Sequence, residues 1–303
     1  MLILLQFLFQ SFCVTAEKPQ LGLITTLASG ITNMVLDAVL VILLPQNLKL
    51  AGAAVATAAS QTIGGIVPLI YFLRPNNSIL RLGKTSLDFK ALFRACVNGS
   101  SEFMSNISMN LVGILYNLQL LLYSGEDGVA AYGVMMYVSF AFSGAFIGYS
   151  IGTAPIISYH YGAQNHSELK NILKKSCIML LGFGLAMLTL SELLAAPLSA
   201  IFVSYSQDLM DMTEHGLRIF SLCFPFMGFA ILGSGFFTAL SDGLTSAAIS
   251  FLRTVVFQVA AVLLLPLVLD LDGIWLSVVV AEIMAVVFSA IFLFAKRKKY
   301  QYF

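Results

Sequence analysis

Four carboxylic acids lie within long apolar stretches of the sequence: Asp37, Glu102, Glu192 and Glu282. A charge in the hydrocarbon core of a membrane is costly, so acids in such positions commonly serve ion or substrate transport. Asp37 follows Asn33 by four residues, which places both side chains on one helix face. We therefore predict a cation-binding pair at Asn33 and Asp37, with a hydrogen-bonded polar cluster as the structural alternative.

Glu102 belongs to a regular polar series that recurs every three or four residues. A helix face that is polar over its whole length lines a bundle interior or a wet cavity rather than lipid. Burial there would favour the protonated carboxyl group, which suits a proton-coupled carrier. We predict Glu102 as a coupling residue, against a packing role, and place the asparagines of the series in a substrate cavity: Asn98, Asn106, Asn110 and Asn117.

The remaining candidates favour structural roles. Glu282 can pair with Arg253 across neighbouring helices, and Glu192 lies within reach of a membrane surface. A G-x-x-x-G repeat predicts close helix packing at Gly144, Gly148 and Gly152. Three methionines, together with the many phenylalanines, could line an adaptable pocket for flat cations, although each methionine singly favours a lipid-facing or core position: Met135, Met136 and Met227.

Motifs for other energy sources are absent from the sequence. His160, His166 and His215 have no ligand spacing, and no phosphate loop, nucleotide fingerprint or nucleophile constellation occurs. We therefore expect neither an enzyme nor an ATPase subunit. The expected energy source is a gradient of H⁺ or Na⁺, with no bound cofactor.

Composition assigns these residues to a membrane protein. The 303 residues are 59% hydrophobic and only 10% charged, and the mean hydropathy is +0.91. A soluble domain of this size cannot bury so much apolar surface, and a net charge of +1 excludes a nucleic-acid partner. The scattered cysteines predict neither disulfides nor a zinc site: Cys13, Cys96, Cys177 and Cys223.

The fold class that follows is all-α, with about nine membrane-spanning helices, because the apolar runs are too long for the alternating strands of a barrel. Residues 74–96 separate two groups of helices, and Ser86 is the expected N-cap of a short amphipathic helix in this linker. The predicted spans are residues 1–16, 20–44, 49–73, 97–122, 128–154, 176–203, 214–240, 246–269 and 273–295.

Basic residues predict the orientation of these helices. Thirteen of the sixteen fall on one side, in the turn at Lys18, in the linker (with Arg81 and Lys84), in the segment Lys170–Lys175 and in the tail Lys296–Lys299. The C-terminus is therefore expected in the cytoplasm. Residues 1–14 have the length of a signal-peptide core but no basic start, so a truncated membrane helix fits them better.

Residues 10–73 and 234–294 share one layout. Each has a turn, a long helix that ends in Leu-Pro, and a second helix that begins at a glycine, Gly52 or Gly273. Duplicated bundles are typical of transporters. The helices between the two copies have no partner at the front of the chain, so the sequence reads as half of one bundle followed by a complete second bundle.

Several stretches resemble the multidrug and toxic compound extrusion (MATE) family, in the order of that family and along the whole chain. This resemblance implies two six-helix lobes. The chain then begins inside the fourth helix, with residues 1–73 as half of the first lobe, 74–96 as a cytoplasmic linker and 97–303 as the second lobe with its basic tail. The stretches are Asn33–Asp37, Gly52–Gln61, Pro155–Ala163, Leu271–Trp275 and Ala281-Glu282.

The resemblance also implies a cation site in the first lobe, carried over to Asp37, Asn33 and Thr57, with Na⁺ as one possible occupant at Asp37. The acid that the family adds from its first helix is not in this chain. Glu102 resembles the cation residue of the second lobe, but residues 217–240 contain no acid to complete a two-carboxylate sodium site.

The function implied is a secondary antiporter of the cell membrane that exports cationic small molecules by alternating access, with inactivity of the 303 residues on their own as the alternative that the absent first helices imply. A lipid-linked oligosaccharide flippase of the same superfamily is the alternative, although it would need more basic cavity residues than Arg253. An intramembrane enzyme is disfavoured, since no catalytic constellation is visible. The expected surroundings are membrane lipid, with no nucleic acid.

Overall fold

The molecule is described here by a computed structural model that covers residues 2–75, 78–80, 83 and 86–302. The described part is helical and contains no strand. It divides into two units, Met1–Leu87 and Asp88–Phe303, and their boundary falls within the predicted linker. Arg81 and Lys84 of that linker lie outside the described residues.

The first unit contains three helices, α1 (Leu2–Thr15), α2 (Pro19–Leu43) and α3 (Lys49–Leu73), with a 3-10 turn at Gln46–Leu48. The chain reverses at Glu17, whose φ is 58°, and Pro19 then starts α2, where its missing N–H costs nothing. A small core forms where Phe9 stacks on Phe72 beside buried Cys13. This core joins α1 to α3.

The second unit begins with α4 (Phe89–Gly162). The Asp88 carboxylate accepts hydrogen bonds from the backbone of Lys90 and Ala91, so Asp88 and not Ser86 is the N-cap. The prediction of a separate amphipathic helix in the linker is therefore wrong, because the residues expected to form it are the first turns of α4. Gly125, with φ 66° and ψ −152°, is the single break in the helix, where the sequence predicts a loop of five residues.

Helix α5 (His166–Val203) begins ten residues earlier than expected. The Asn165 side chain accepts a hydrogen bond from the backbone N–H of Glu168, which caps this helix. Lys170, Lys174 and Lys175 therefore lie on its first turns and not in a loop. His160 and His166 are likewise helical.

The last predicted spans consist of broken helices. Helices α6 (Gln207–Ser221) and α7 (Phe224–Ala239) are bent by 48° against each other. Helix α8 (Gly243–Phe251) passes through a π-helical segment, Leu252–Phe257, into α9 (Gln258–Leu264). Helix α10 (Pro266–Tyr300) is interrupted at Asp270, where φ is 47°.

Length and composition confirm a polytopic membrane protein. Within the described ranges six helices are long and apolar enough to cross a membrane, or seven if the bent pair α6–α7 forms one span. Because 74-residue α4 is far longer than the ~20 residues of one crossing, its halves on either side of Gly125 supply two. With the shorter α1, the nine predicted helices are accounted for.

The second unit is built around large buried side chains, among them Trp275, Tyr116 and Phe224. Met135 and Met227 also belong to this core. The alternative that these methionines line an adaptable pocket is therefore wrong for Met135 and Met227, because they are enclosed by other core residues.

The internal repeat has a counterpart in the backbone of both units. Glu17 before α2 and Ser241 before α8 have nearly identical left-handed φ angles, 58° and 59°. At the next turn, a Cβ built on Gly52 would meet Leu44, and one built on Gly273 would meet Leu265. Both leucines directly precede the repeated prolines. The same helical hairpin therefore occurs in each unit.

Candidate functional site

In the first unit, Asn33 and Asp37 are half-buried on α2. The Nδ2 atom of Asn33 and the Oδ1 atom of Asp37 are shielded from solvent and have no hydrogen-bond partner among the described residues. One turn before Asn33, the buried Ser29 hydroxyl donates to the backbone oxygen of Ser60 at 2.7 Å. Polar groups thus follow the seam between α2 and α3 over more than two turns.

Thr57, the third predicted member of this site, is placed differently. Its side chain is exposed, and its hydroxyl donates to the Ala53 carbonyl of its own helix at 3.0 Å. No hydrogen bond in the described structure joins it to Asn33 or Asp37. The buried hydroxyl of α3 belongs to Ser60, one turn farther along the helix. The sequence-based prediction did not include Ser60, although its three-residue spacing from Thr57 places it on a neighbouring part of the same helix face.

The polar series on α4 does not lie in the interior of the second unit. Glu102, Asn106, Asn110 and Asn117 are exposed, so the expected burial of Glu102 is wrong. The opposite face of α4 provides the reason, because Ser108, Val112, Tyr116 and Leu120 are buried at a four-residue spacing. Val112, Tyr116 and Leu120 belong to the core of the second unit, so the opposite, polar face of α4 is left outside this core.

Two amides of this series donate to carbonyls of their own helix. Asn106 donates to the Glu102 carbonyl at 2.7 Å, and Asn110 donates to the Asn106 carbonyl at 2.9 Å. Asn98 differs, since its Nδ2 donates across the bundle to the Thr238 carbonyl at 3.2 Å. Asn98 therefore makes a contact between helices, and the Oδ1 of the same side chain is shielded from solvent without a hydrogen-bond partner among the described residues.

Two open cavities flank α4 in the second unit. One, of about 270 Å³, is almost entirely apolar and lies between Leu111 and Val259. The other, of about 400 Å³, is lined by Asn117 and Glu126 near the break at Gly125. Among the four asparagines predicted to line a cavity, Asn117 lines the second of these two cavities, and the other three line neither.

Arg253 and Glu282 form the closest ion pair inside the described bundle. Arg253 Nε lies 3.0 Å from both carboxylate oxygens, and Nη2 lies 2.7 Å from Oε1. The side chain of Glu282 is 1% exposed and that of Arg253 is 17% exposed. Arg253 projects from the π-helical segment, a rare geometry that is often found at functional positions and that has no signal in the sequence.

Further ion pairs lie at one end of the second unit. Glu192 accepts from Arg218 Nη1 at 3.1 Å and from the Ser221 hydroxyl at 2.8 Å. His215 Nε2 lies 2.9 Å from Asp272 Oδ1. These contacts tie α6 to α5 and to α10. The described residues contain no group of three His, Cys, Asp or Glu side chains that could hold a metal ion.

The G-x-x-x-G face on α4 makes no close helix contact in the described structure. Gly144, Gly148 and Gly152 are exposed, and a Cβ at each would meet nothing within 4 Å. The expected close packing is therefore wrong for these glycines. The close approaches occur instead at Gly184, Gly243 and Gly273, where backbone atoms lie within 3 Å of the added Cβ.

Comparison with known proteins identifies related chains. The model of the MatE family matches residues 103–263. The multidrug export protein MepA of Staphylococcus saprophyticus is 25% identical over 281 residues, which are 92% of this chain and 61% of that protein. MepA of Staphylococcus haemolyticus is 30% identical over 173 residues, or 57% of this chain and 37% of that protein. The chain thus spans about three fifths of the first relative.

Solved structures show the same fold. A crystal structure of MATE in complex with MaL6 aligns with a TM-score of 0.89 at 19% identity, and covers 98% of this chain and 68% of that one. An outward-facing multidrug resistance transporter of the MOP superfamily aligns with a TM-score of 0.84 at 19% identity, and covers 93% and 64%. At these identities the likeness concerns the fold alone.

Proposed function

The chain belongs to the MatE family, and on that premise we propose that it exports cationic small molecules in exchange for H⁺ or Na⁺, as a secondary antiporter that works by alternating access. The relatives with related sequences are multidrug export proteins, which supports the substrate class. The proposal includes a cell-membrane location with a cytoplasmic C-terminus, supported by the one-sided distribution of basic residues.

The observation that carries the proposal is the pair of unsatisfied polar atoms at Asn33 and Asp37. A buried polar group without a partner costs about 1–3 kcal/mol, and a carboxylate costs more. A membrane helix retains such groups where they bind something. The unsatisfied Oδ1 of Asp37 can accept H⁺ or a bare Na⁺, whereas the Nδ2 of Asn33 is a donor and binds no cation. Asp37 is therefore the proposed coupling residue, with Asn33 beside it and Thr57 in a peripheral role.

Glu102 has a different proposed role in this scheme. Its exposed carboxylate heads a polar helix face with three exposed asparagines, Asn106, Asn110 and Asn117. Such a face suits an aqueous path that attracts organic cations, because an acidic lining raises their local concentration. The sequence-based hypothesis that protonation of Glu102 couples transport depended on burial of this carboxylate, which is exposed.

The flippase alternative receives no support from the site. Recognition of an anionic lipid-linked sugar would need free basic residues in the cavity, and Arg253 is the candidate that the sequence offers. Its guanidinium is bonded to Glu282. Its charge is therefore already neutralised within the bundle.

The experiment compares ethidium efflux from cells that express the chain, its Asp37→Asn variant and a Thr26→Val control. Thr26 lies exposed on the same helix. We expect efflux driven by an imposed H⁺ or Na⁺ gradient from the parent and from the control, and none from Asp37→Asn at equal expression. Equal efflux from Asp37→Asn would contradict the assignment, and no gradient-driven efflux from the parent would contradict the function.

A further inference from the structure

The two repeats differ at one equivalent position of the seam between their long helices. Ser29 and Arg253 each lie twelve residues after the turn residue with positive φ. Their partners Ser60 and Glu282 lie eight and nine residues after Gly52 and Gly273. In the first unit this position holds a hydroxyl-to-carbonyl hydrogen bond, whereas in the second it holds an ion pair.

Beyond this position the two seams also differ. One and two turns after Ser29, the first unit has Asn33 and Asp37, whose buried atoms lack partners. One and two turns after Arg253, the second unit has Phe257 and Ala261. The second seam therefore carries its acid on the opposite helix, as Glu282.

The surroundings of Glu282 provide one positive charge. Arg253 on the π-helical segment contacts it directly. The Cys223 thiol, at the bend between α6 and α7, and the Tyr116 hydroxyl on α4 are near enough to interact with it electrostatically. Cys223 and Tyr116 are fully enclosed. Within the described part of the chain, Arg253 is thus the sole cation that neutralises this buried carboxylate.

We propose that Arg253 acts as a resident cation for Glu282: it permanently occupies the place of an exchangeable cation in the seam of the second unit and fixes the π-helical segment on α10. An arginine stays charged at every physiological pH and binds a carboxylate through two nitrogens. Because it is part of the chain, neither H⁺ nor Na⁺ from solution displaces it. Arg253 is a positioning residue, and removal of its side chain turns Glu282 into a binding site for a solution cation.

This inference depends on the proposed function at one point, the assignment of cation exchange to Asp37. Its own content concerns the ion pair, so it can be tested on purified protein without any transport measurement. A failure of ethidium efflux would contradict the function and would leave the resident cation untouched. A negative result in the melting experiment described next would contradict the resident cation and would leave the proposed transport function untouched.

The test measures the melting temperature of the purified 303-residue chain at pH 5.5 and pH 8, in Na⁺, K⁺ or choline. All variants carry Asp37→Asn, so that the carboxylate of the first unit is silent. The compared chains are this parent, Arg253→Met, Arg253→Lys, Glu282→Gln and the double variant Arg253→Met/Glu282→Gln. The double variant removes both charges at nearly constant volume and is the matched control for every other titrating group.

We expect Arg253→Met to lose several degrees as the pH rises from 5.5 to 8, because an unpaired buried carboxylate is costly. Small inorganic cations should restore part of this loss and choline should not. The double variant and Arg253→Lys should follow the parent in pH and cation dependence. An Arg253→Met chain that folds only together with Glu282→Gln gives the same support.

Two results would overturn the proposal. The first is an Arg253→Met chain whose pH and cation dependence equals that of the double variant, since Glu282 would then need no cation. The second is a cation response of the parent that disappears in Glu282→Gln, since Glu282 would then already exchange its cation. If Arg253→Met and the double variant both fail to fold, the cation responses of the parent and of Glu282→Gln can still be compared.

Discussion

Gly273 lies directly against the backbone of Leu265: a Cβ on this glycine would be 2.5 Å from the Leu265 carbonyl carbon and oxygen. The approach brings the start of the long segment of α10 against the end of α9. At the corresponding turn of the first unit, Gly52 makes the same approach to the Leu44 side chain, at 2.7 Å. Backbone atoms block the added Cβ at Gly273, so the tight turn requires glycine there. At Gly52 the nearest atom is the end of the flexible Leu44 side chain, which can move.

Gly273→Ala should lower the free energy of unfolding by about 2–3 kcal/mol, because backbone atoms and not a flexible side chain block the added methyl group. Gly148→Ala is the matched control, since its Cβ would meet nothing within 4 Å. Alanine there should be neutral or stabilise the helix by up to about 1 kcal/mol. Thermal unfolding in detergent measures both, and equal melting temperatures would contradict the close packing at Gly273.

Ser29→Ala should destabilise the first unit by about 1 kcal/mol, the usual net contribution of a buried hydrogen bond. The lost bond is the one to the Ser60 carbonyl. Thr189→Val serves as control, because the Thr189 hydroxyl is exposed and bonds within its own helix, so a change within about 0.5 kcal/mol is expected. Hydrogen exchange of the α2 amides should accelerate in Ser29→Ala and stay unchanged in the control.

Asp242 caps α8 through the Thr245 N–H and accepts a hydrogen bond from the Tyr300 hydroxyl at 2.7 Å. Burial alone would raise the pKa of this carboxyl, but Tyr300, Thr245 and the charge of Lys296 outweigh burial and lower it. Because the pKa is lowered in the folded chain, its stabilisation is complete above pH about 4. It is lost as the pH falls through the lowered value.

Asp242→Ala should therefore cost about 1–2 kcal/mol at pH 7, since both the cap and the charge are lost. Asp242→Asn should cost less, because an amide oxygen still accepts from Thr245. The difference between the parent and Asp242→Asn should shrink when melting is measured at pH 3 instead of pH 7. A difference that stays constant across this range would show that the carboxylate charge contributes nothing.

Glu102→Gln should retain the fold and weaken ethidium binding about fivefold, since an exposed charge attracts a cation by about 1 kcal/mol at contact distance. The loss should decrease at high ionic strength. Asp208→Asn, an exposed acid outside the α4 series, should bind ethidium as the parent does. Fluorescence titration measures the dissociation constants. Complete loss of gradient-driven efflux with unchanged affinity would instead restore Glu102 as a coupling residue.

Cysteine labelling should resolve the orientation of the helices. In a chain without its native cysteines, we expect an impermeant maleimide added to intact cells to label a cysteine at Asp127 or Asp208. A cysteine at Lys175 should react only after the cells are opened. All three positions are exposed in the described structure. External labelling at Lys175 would reverse the predicted orientation.

The sequence by itself determined the fold class, the positions of most helices and the internal repeat. Apolar runs of about 20 residues leave the backbone few options other than helices in a membrane. Leu-Pro followed by glycine marks the same tight turn in both repeats. The pairing of Arg253 with Glu282 was also within reach, because a buried charge requires an opposite one. These features depend on local geometry or on one strong energetic rule.

Only the tertiary structure decided which face of each helix is buried. The polar series on α4 indicated an interior position, yet it is the opposite face, with Val112, Tyr116 and Leu120, that belongs to the buried core. Gly148 and Gly273 both lie within helices, yet of the two Gly273 alone is in tight contact. Thr57 and Ser60 differ by one turn, and Ser60 faces the seam. In a membrane both lipid and neighbouring helices accept apolar side chains, so hydropathy alone cannot distinguish the packed face from the exposed one.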